Sequence, residues 1–158
     1  MQAGFNIRES RAEDAEAIFA VTRDSAAGLA VSHYSAEQVA GWMGDRTPET
    51  YREAAASGRM RVAEHQGKLV GFVDAVPGEI YRLFLLPEVA GQGLGKRLME
   101  IGIALAKTNH DGPLKVEATL NAKAFYERFG FRQTGTGFFA GRNGEWPPIE
   151  VVYLEREE

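Results

Sequence analysis

Cysteine is absent from the 158-residue sequence. This absence excludes a disulfide framework, a thiolate nucleophile and a zinc site with cysteine ligands. Histidine is scarce as well, because only His33, His65 and His110 occur, far apart and without the i, i+4 spacing of metal-binding helices. We therefore expect no metal site, and any catalysis has to use other side chains.

Long apolar runs are also missing. No stretch reaches the length of about 18 apolar residues that a membrane span needs, and residues 1–4 lack the basic and apolar regions of a signal peptide. The formal net charge of −4 argues against a nucleic-acid partner. We expect a cytoplasmic protein with no membrane or nucleic-acid partner, folded as one domain over residues 1–158.

The first third of the chain predicts one strand followed by three short helices. Residues 5–9 alternate apolar and polar side chains, as in an exposed strand. Ser10 to Glu13 and Ser35 to Gln38 each fit a capping box, in which a side-chain hydroxyl accepts from the N–H three residues later. Thr47 and Pro48 then begin the third helix, which ends at Ser57 and Gly58.

The middle of the chain predicts an antiparallel meander of three strands. Apolar and β-branched residues cluster at 60–63, 69–73 and 79–86. The turns between these clusters are Gln66-Gly67-Lys68 and Pro77-Gly78. Short turns of this kind join neighbouring strands that run in opposite directions.

The last third predicts two helices and three strands. The first helix ends at Asp111-Gly112-Pro113, and its apolar face consists of Leu94, Leu98, Ile101 and Leu105. Because a helix connects them, strand 114–119 should pair parallel to strand 79–86. A helix over Asn121 to Phe129 and two strands around Asn143-Gly144 complete an α+β fold with a mixed, mostly antiparallel twisted sheet flanked by helices.

Three glycines, Gly91, Gly93 and Gly95, stand at alternate positions between the third strand of the meander and the next helix. They allow a ligand to approach backbone N–H groups at a helix N-terminus, which is typical of a phosphate cradle. Two nucleotide motifs are excluded. A P-loop would need glycine at Ala90 and a hydroxyl at Arg97, and the dinucleotide pattern needs a glycine three residues after one of the paired glycines.

Three segments together resemble the GNAT superfamily of acetyl-CoA-dependent N-acetyltransferases. They are Glu79 to Pro87, the glycine turn, and Asn121 to Phe131, which reads Asn-x-x-Ala-x-Tyr-x-x-x-Gly-Phe. The resemblance covers roughly residues 60–154. It implies that the central parallel strand pair is splayed, that acetyl-CoA is the cosubstrate, and that no metal takes part. Members of the family frequently dimerise, so a homodimer is left open.

The resemblance assigns acetyl-CoA to one strand, to the glycine turn and to the start of the last helix. The cofactor-binding residues that it implies are Leu83, Phe84, Leu85, Ala90, Gly91, Gln92, Gly93, Leu94, Gly95, Lys96 and Asn121. Pantetheine amides would pair with the strand backbone, and a backbone amide near Leu85 would donate to the acetyl carbonyl. The family usually has Gln or Arg where Ala90 stands, so phosphate binding should depend on backbone amides of residues 91–95. Asn121 is also a good N-cap for the helix it begins.

Acetyl transfer to an amine needs a base to deprotonate the alkylammonium and an acid to protonate the leaving thiolate. Glu79 matches the position of the glutamate base in several members of the family, and Tyr126 matches the general acid. Glu117, on the neighbouring strand, is the substitute base, and water alone is a further alternative. The absence of cysteine favours direct transfer within a ternary complex over an acetylated enzyme.

The amine acceptor is not defined by the sequence. A small cationic amine, a peptide N-terminus and a lysine side chain all remain open, and the acidic composition favours the small cation. Six aromatic residues are candidates for shaping its pocket: Tyr34, Trp42, Tyr51, Phe138, Phe139 and Trp146. The alternative function is a non-catalytic acyl-CoA-binding module that senses or regulates.

Overall fold

A computed structural model describes residues 4–29, 33–44, 46–139 and 149–158. The strands within these ranges are β1 (Asn6–Glu9), β2 (Met60–His65), β3 (Lys68–Val76), β4 (Glu79–Leu85), β5 (Leu114–Thr119), β6 (Arg132–Phe139) and β7 (Ile149–Arg156). The α-helices are α1 (Ala15–Leu29), α2 (Ala36–Met43), α3 (Glu49–Ala56), α4 (Leu94–Lys107) and α5 (Lys123–Glu127). The expected Asn143-Gly144 turn lies outside the described residues.

The seven strands form one sheet in the order β1-β2-β3-β4-β5-β7-β6. Every neighbouring pair is antiparallel except β4 and β5, which run parallel. This topology confirms the mixed, mostly antiparallel α+β sheet expected from the sequence. Helices α1 and α4 both pack against β3 and β4. Within the ranges that the structure covers, no helix combines the length and apolarity needed to cross a bilayer.

The parallel pair is splayed. Strands β4 and β5 pair only at Glu79 with Lys115 and at Ile80 with Val116. Directly after these pairs, the register between β3 and β4 shifts, because Tyr81 is an extra residue in β4. A bulge of this kind bends a strand and increases its local twist. The bend separates the rest of β4 from β5 and opens a gap in the centre of the sheet.

Helix α4 lies unusually close to the sheet. A Cβ atom at Gly102 would stand 2.8 Å from Cγ2 of Val73, a separation that real side chains do not tolerate. Leu98 and Met99 of the same helix are fully buried. Gly102 therefore permits α4 to pack closely against β3, next to the splayed strand β4.

The two expected capping boxes have different outcomes. The box at Ser35 is confirmed, because its hydroxyl accepts from the Gln38 N–H at 3.0 Å and the Gln38 side chain accepts from the Ser35 N–H at 2.9 Å. The box at Ser10 is wrong. The Ser10 hydroxyl instead donates to the Ala55 carbonyl at 2.8 Å, and the Asp14 carboxylate accepts from the Arg11 N–H. A tertiary hydrogen bond to α3 has replaced the local cap.

Candidate active site

Two cavities meet in the gap between β4 and β5. The first, named here the apolar cavity, has a volume of about 190 Å³ and is lined by Ser25, Ala26, Tyr34, Gln38, Val39, Trp42, Leu83, Phe84, Leu85, Thr119, Asn121, Ala122, Phe125, Tyr126 and Ile149. The second, named the charged cavity, has a volume of about 420 Å³ and is lined by Trp42, Arg46, Thr50, Glu79, Tyr81, Arg82, Leu83, Phe84, Glu117, Ala118, Thr119, Ala122, Tyr126, Phe139 and Val151. Tyr126 lines both cavities.

The backbone of β4 presents free polar groups to the apolar cavity. Leu86 N–H donates to the Val70 carbonyl at 2.9 Å, so its backbone points towards β3. Successive residues of a strand point their N–H and C=O groups in opposite directions. The backbone groups of Leu83 and Leu85 therefore point towards β5, which has already ended its pairing with β4 at Val116. This edge can pair with the amides of an extended ligand.

Asn121 contributes a side-chain acceptor to the same cavity. Its Oδ1 is buried and has no hydrogen-bond partner in the described part of the chain. The expectation that this residue caps the last helix is wrong, because a short 3₁₀ turn over Leu120–Ala122 precedes α5 and the residue before α5 is Ala122. A buried, unpartnered oxygen is costly in a folded protein. It fits an amide-bearing ligand whose N–H would donate to it.

The glycine turn lies on the exterior, beside the apolar cavity. Gly91 and Gly93 have φ angles of 79° and 85°, in the left-handed region that favours glycine. The first hydrogen bond into α4 runs from the Arg97 N–H to the Gly93 carbonyl at 3.2 Å. The earlier N–H groups of the turn therefore lack helical acceptors and face outwards. This arrangement can bind an anion through the backbone and the helix dipole.

The side chains of the turn add little charge. Ala90 is exposed, and the Gln92 amide donates to the Glu88 carbonyl at 3.2 Å. Lys96 is exposed on the first turn of α4, whereas Arg97 donates to the Phe5 carbonyl at 3.4 Å. Gly95 allows the start of α4 to lie close to the wall of the apolar cavity, because a Cβ there would lie 3.2 Å from the Phe125 ring. The turn thus presents mainly backbone to a ligand.

Two glutamates face the charged cavity. Burial and the neighbouring carboxylate of Glu117 raise the pKa of Glu79 above its ordinary value, while the ammonium of Lys115 acts in the opposite direction. Glu79 is half-buried at the start of β4, and Glu117 is exposed on β5. A carboxylate with a raised pKa is a better proton acceptor than an ordinary surface glutamate.

Tyr126 is one of six residues that line both cavities. Only 5% of the residue is exposed, and its ring packs edge-on against Phe125 and Phe131. Burial raises the pKa of the Tyr126 hydroxyl well above its ordinary value. The hydroxyl therefore keeps its proton at neutral pH.

Two arginines complete the charged cavity, and sequence reasoning missed both of them. The Arg46 guanidinium lies 4.4 Å from the Trp42 ring centroid. The Arg82 guanidinium lies 4.8 Å from the Tyr81 ring centroid and 4.9 Å from that of Tyr51. Each arginine is isolated in the sequence, where it resembles an ordinary solvated side chain. The one signal available for Arg82 was its position as a charged residue among the apolar residues of β4.

The aromatic candidates divide into three groups. Trp42 lines both cavities, Phe139 lines the charged cavity, and Tyr34 lines the apolar cavity. Tyr51 is fully buried beneath the charged cavity, and Phe138 is 70% exposed and lines neither cavity. Trp146 lies outside the described residues. Over those same described ranges, no group of three or more His, Cys, Asp or Glu side chains is arranged to hold a metal ion.

Comparisons with known proteins agree with this geometry. The sequence matches the family model described as "Acetyltransferase (GNAT) domain" over residues 30–142. It is 30% identical over 154 residues to the peptidyl-lysine N-acetyltransferase YjaB of Salmonella typhimurium, an alignment that covers 94% of this chain and 97% of the relative.

Solved structures share the same fold. A GCN5-related N-acetyltransferase from Rhodopseudomonas palustris superposes with a TM-score of 0.86 at 26% identity, covering 100% of this chain and 98% of the other. The PaiA N-acetyltransferase of Thermoplasma acidophilum, solved in complex with coenzyme A, superposes with a TM-score of 0.74 at 20% identity, covering 98% and 99% of the two chains.

Proposed function

The chain belongs to the GNAT superfamily of acetyl-CoA-dependent N-acetyltransferases, and we propose that it transfers the acetyl group directly to a primary amine bound in the charged cavity. The observation that carries this proposal is the position of Tyr126, whose side chain lines the apolar and the charged cavities together. A donor in one cavity and an acceptor in the other would meet at its hydroxyl.

The apolar cavity and the glycine turn are proposed to hold acetyl-CoA. The backbone of Leu83 and Leu85 would pair with the pantetheine arm, and Asn121 Oδ1 would accept from one of its amides. Residues 90–96 would hold the phosphates through their backbone N–H groups, with Lys96 nearby. When bound, acetyl-CoA supplies an acetyl thioester. The Leu85 N–H would polarise its carbonyl.

The charged cavity is proposed to activate the amine. The Glu79 carboxylate would take a proton from the alkylammonium, directly or through water, and so free the nitrogen lone pair for attack on the acetyl carbon. As the carbon–sulfur bond breaks, the Tyr126 hydroxyl would give its proton to the sulfur. The second proton of the amine, lost as the amide forms, would return to the tyrosine through water. Glu117 would tune Glu79 through charge repulsion and stands as the substitute base.

The acceptor class is proposed as a primary amine, on a small molecule or a peptide. The YjaB relative is named as a peptidyl-lysine N-acetyltransferase, which supports a lysine side chain among the candidates. The charged cavity, at about 420 Å³, is large enough for a small amine or an extended side chain.

Release of thiol from acetyl-CoA in the presence of an amine panel tests the proposal. The panel should contain polyamines, amino acids, lysine peptides and peptides with free N-termini. We expect thiol release that depends on the amine, together with the N-acetylated product by mass spectrometry. A rise in melting temperature with acetyl-CoA but no turnover with any amine would contradict the proposal and favour a sensing role.

A further inference from the structure

The charged cavity contains two guanidinium groups that deprotonation of an amine does not require. Arg46 enters from the segment between α2 and α3, and Arg82 from β4. Both contact Tyr51, which brings them to the same side of the cavity: Arg46 Nη1 lies 3.5 Å from the Tyr51 hydroxyl, and the Arg82 guanidinium lies over the ring. Binding of an ammonium group by Glu79 leaves these two positive groups without a role.

Arg46 has no carboxylate partner among the residues that the structure describes. Its guanidinium is stacked 4.4 Å from the Trp42 ring centroid and lies 5.7 Å from that of Phe139. Stacking on aromatic rings holds the plane of the guanidinium but does not balance its charge, and no described carboxylate does so. Arg46, Trp42 and Phe139 all line the charged cavity, so this charge is available to a bound molecule.

Among the residues that the structure describes, the one carboxylate partner of Arg82 is Asp74, which also pairs with Arg59. Asp74 is fully buried and accepts two hydrogen bonds from Arg59, at 2.8 and 3.0 Å. The Arg82 Nε lies 3.6 Å from Oδ2 of the same carboxylate. One carboxylate between two guanidiniums leaves the group with a net charge of +1. Arg82, of these three, lines the cavity.

We propose that the acceptor carries an anionic group, a carboxylate or a phosphate, beside its amine, and that Arg46 and Arg82 bind this group while the amine reaches Glu79. Guanidinium forks match the paired oxygens of both anions. The cavity thus presents positive charge from Arg46 and Arg82 and negative charge from Glu79 and Glu117. This inference rests on the proposed function and replaces the simple cation that overall composition favours with a zwitterion.

Matched acceptor pairs test the inference. Initial rates with acetyl-CoA should be measured for L-lysine and 1,5-diaminopentane, for L-methionine and 3-(methylthio)propylamine, and for O-phosphoethanolamine and ethanolamine. Within at least one pair, kcat/KM should be about ten- to a hundredfold higher for the anionic member, as expected for hydrogen bonds to a charged group. A lysine peptide with aspartate or asparagine beside the lysine tests whether the anion is supplied by a peptide.

Arginine variants locate the effect. In Arg46→Gln, the ratio of kcat/KM between the anionic and neutral members should fall about tenfold, mainly through KM of the anionic acceptor. Arg46→Lys, which keeps the charge and loses the fork, should lower the ratio less. The matched control is Arg23→Gln, because Arg23 also stacks over an aromatic ring, that of Phe19, but lies outside both cavities.

The outcomes separate this inference from the proposed function. Equal kcat/KM values within every pair, or a ratio that Arg46→Gln and Arg46→Lys leave unchanged, would overturn the anionic acceptor while amine acetylation still stood. Failure to acetylate any amine, anionic or neutral, would overturn the proposed function and this inference with it. A higher rate for the aspartate-containing peptide alone would support the anion and assign it to a peptide.

Discussion

The two cavities that meet at Tyr126 use different parts of the chain to recognise a ligand. The apolar cavity offers backbone groups of β4 and the single amide oxygen of Asn121. The charged cavity offers four charged side chains: Arg46, Glu79, Arg82 and Glu117. Backbone recognition depends on the splay of the sheet, whereas side-chain recognition changes with single substitutions. The fold can therefore preserve the donor while the acceptor varies.

Removing the proposed base Glu79 should have the largest effect on activity. It should affect the reaction of the amine in the charged cavity and leave acetyl-CoA binding unchanged. We expect Glu79→Gln to lower kcat/KM for the amine by about 10²- to 10⁴-fold, because the amide cannot accept the ammonium proton. The dissociation constant for acetyl-CoA, measured by calorimetry, should stay within about twofold of wild type. Glu117→Gln is the matched control and should keep most of the activity. A larger loss in Glu117→Gln than in Glu79→Gln would exchange their roles.

Replacing Tyr126 should affect both substrates, since this residue lines both cavities. Tyr126→Phe keeps the packing against Phe125 and Phe131 but removes the acidic proton. Turnover should fall about ten- to a thousandfold, as for loss of general acid catalysis. Tyr153→Phe, on β7 and outside both cavities, is the control. Unchanged turnover in Tyr126→Phe across the pH range would remove Tyr126 from the mechanism.

Replacing Asn121 should affect only the binding of acetyl-CoA in the apolar cavity. Asn121→Ala should raise KM for acetyl-CoA about two- to tenfold, the value of one hydrogen bond, with little change in KM for the amine. Because Asn121 Oδ1 has no partner within the described protein, its removal should not lower the melting temperature. Asn6→Ala on the exposed edge strand β1 controls for the substitution itself. A lower melting temperature with unchanged KM would make Asn121 structural.

The smallest expected effect is a shift in the pH dependence of kcat/KM, which tests the roles of the charged residues around Glu79. Glu79 acts as a base only when ionised, so kcat/KM should rise with pH through its raised pKa. Glu117→Gln removes a like charge and should move this acidic limb to lower pH. Lys115→Gln removes an opposite charge and should move the limb to higher pH. Shifts in the same direction for both variants would contradict the assignment of the limb to Glu79.

The meander and the parallel pair were predictable, because short turns join β2, β3 and β4 and a helix connects β4 to β5. The insertion of β7 between β5 and β6 was not predicted. The bulge at Tyr81 was not predictable, since no glycine or turn residue marks it, and the splay came from the family resemblance alone. Local capping rules failed at Ser10 and at Asn121, where a tertiary hydrogen bond and a 3₁₀ turn replaced the expected cap.

The site shows the same division. Motif residues such as Tyr126 could be named from the sequence, because the segment around them follows a regular pattern. Arg46 and Arg82 could not, because only the packing of both on Tyr51 brings them to one side of the cavity. That packing depends on contacts between α3 and the sheet, which no local pattern records. The preference for one acceptor over another therefore could not be predicted from local sequence patterns.

Initial-rate kinetics with both substrates varied test the central claim most directly, namely that the two cavities hold donor and acceptor at the same time. Rates should be measured over a grid of acetyl-CoA and amine concentrations with an amine that the panel identifies. Direct transfer at Tyr126 predicts reciprocal plots that intersect, with no acetylated protein detectable by mass spectrometry after incubation with acetyl-CoA alone. Parallel plots together with an acetylated protein would contradict the account, because they require the acetyl group to pass through the enzyme.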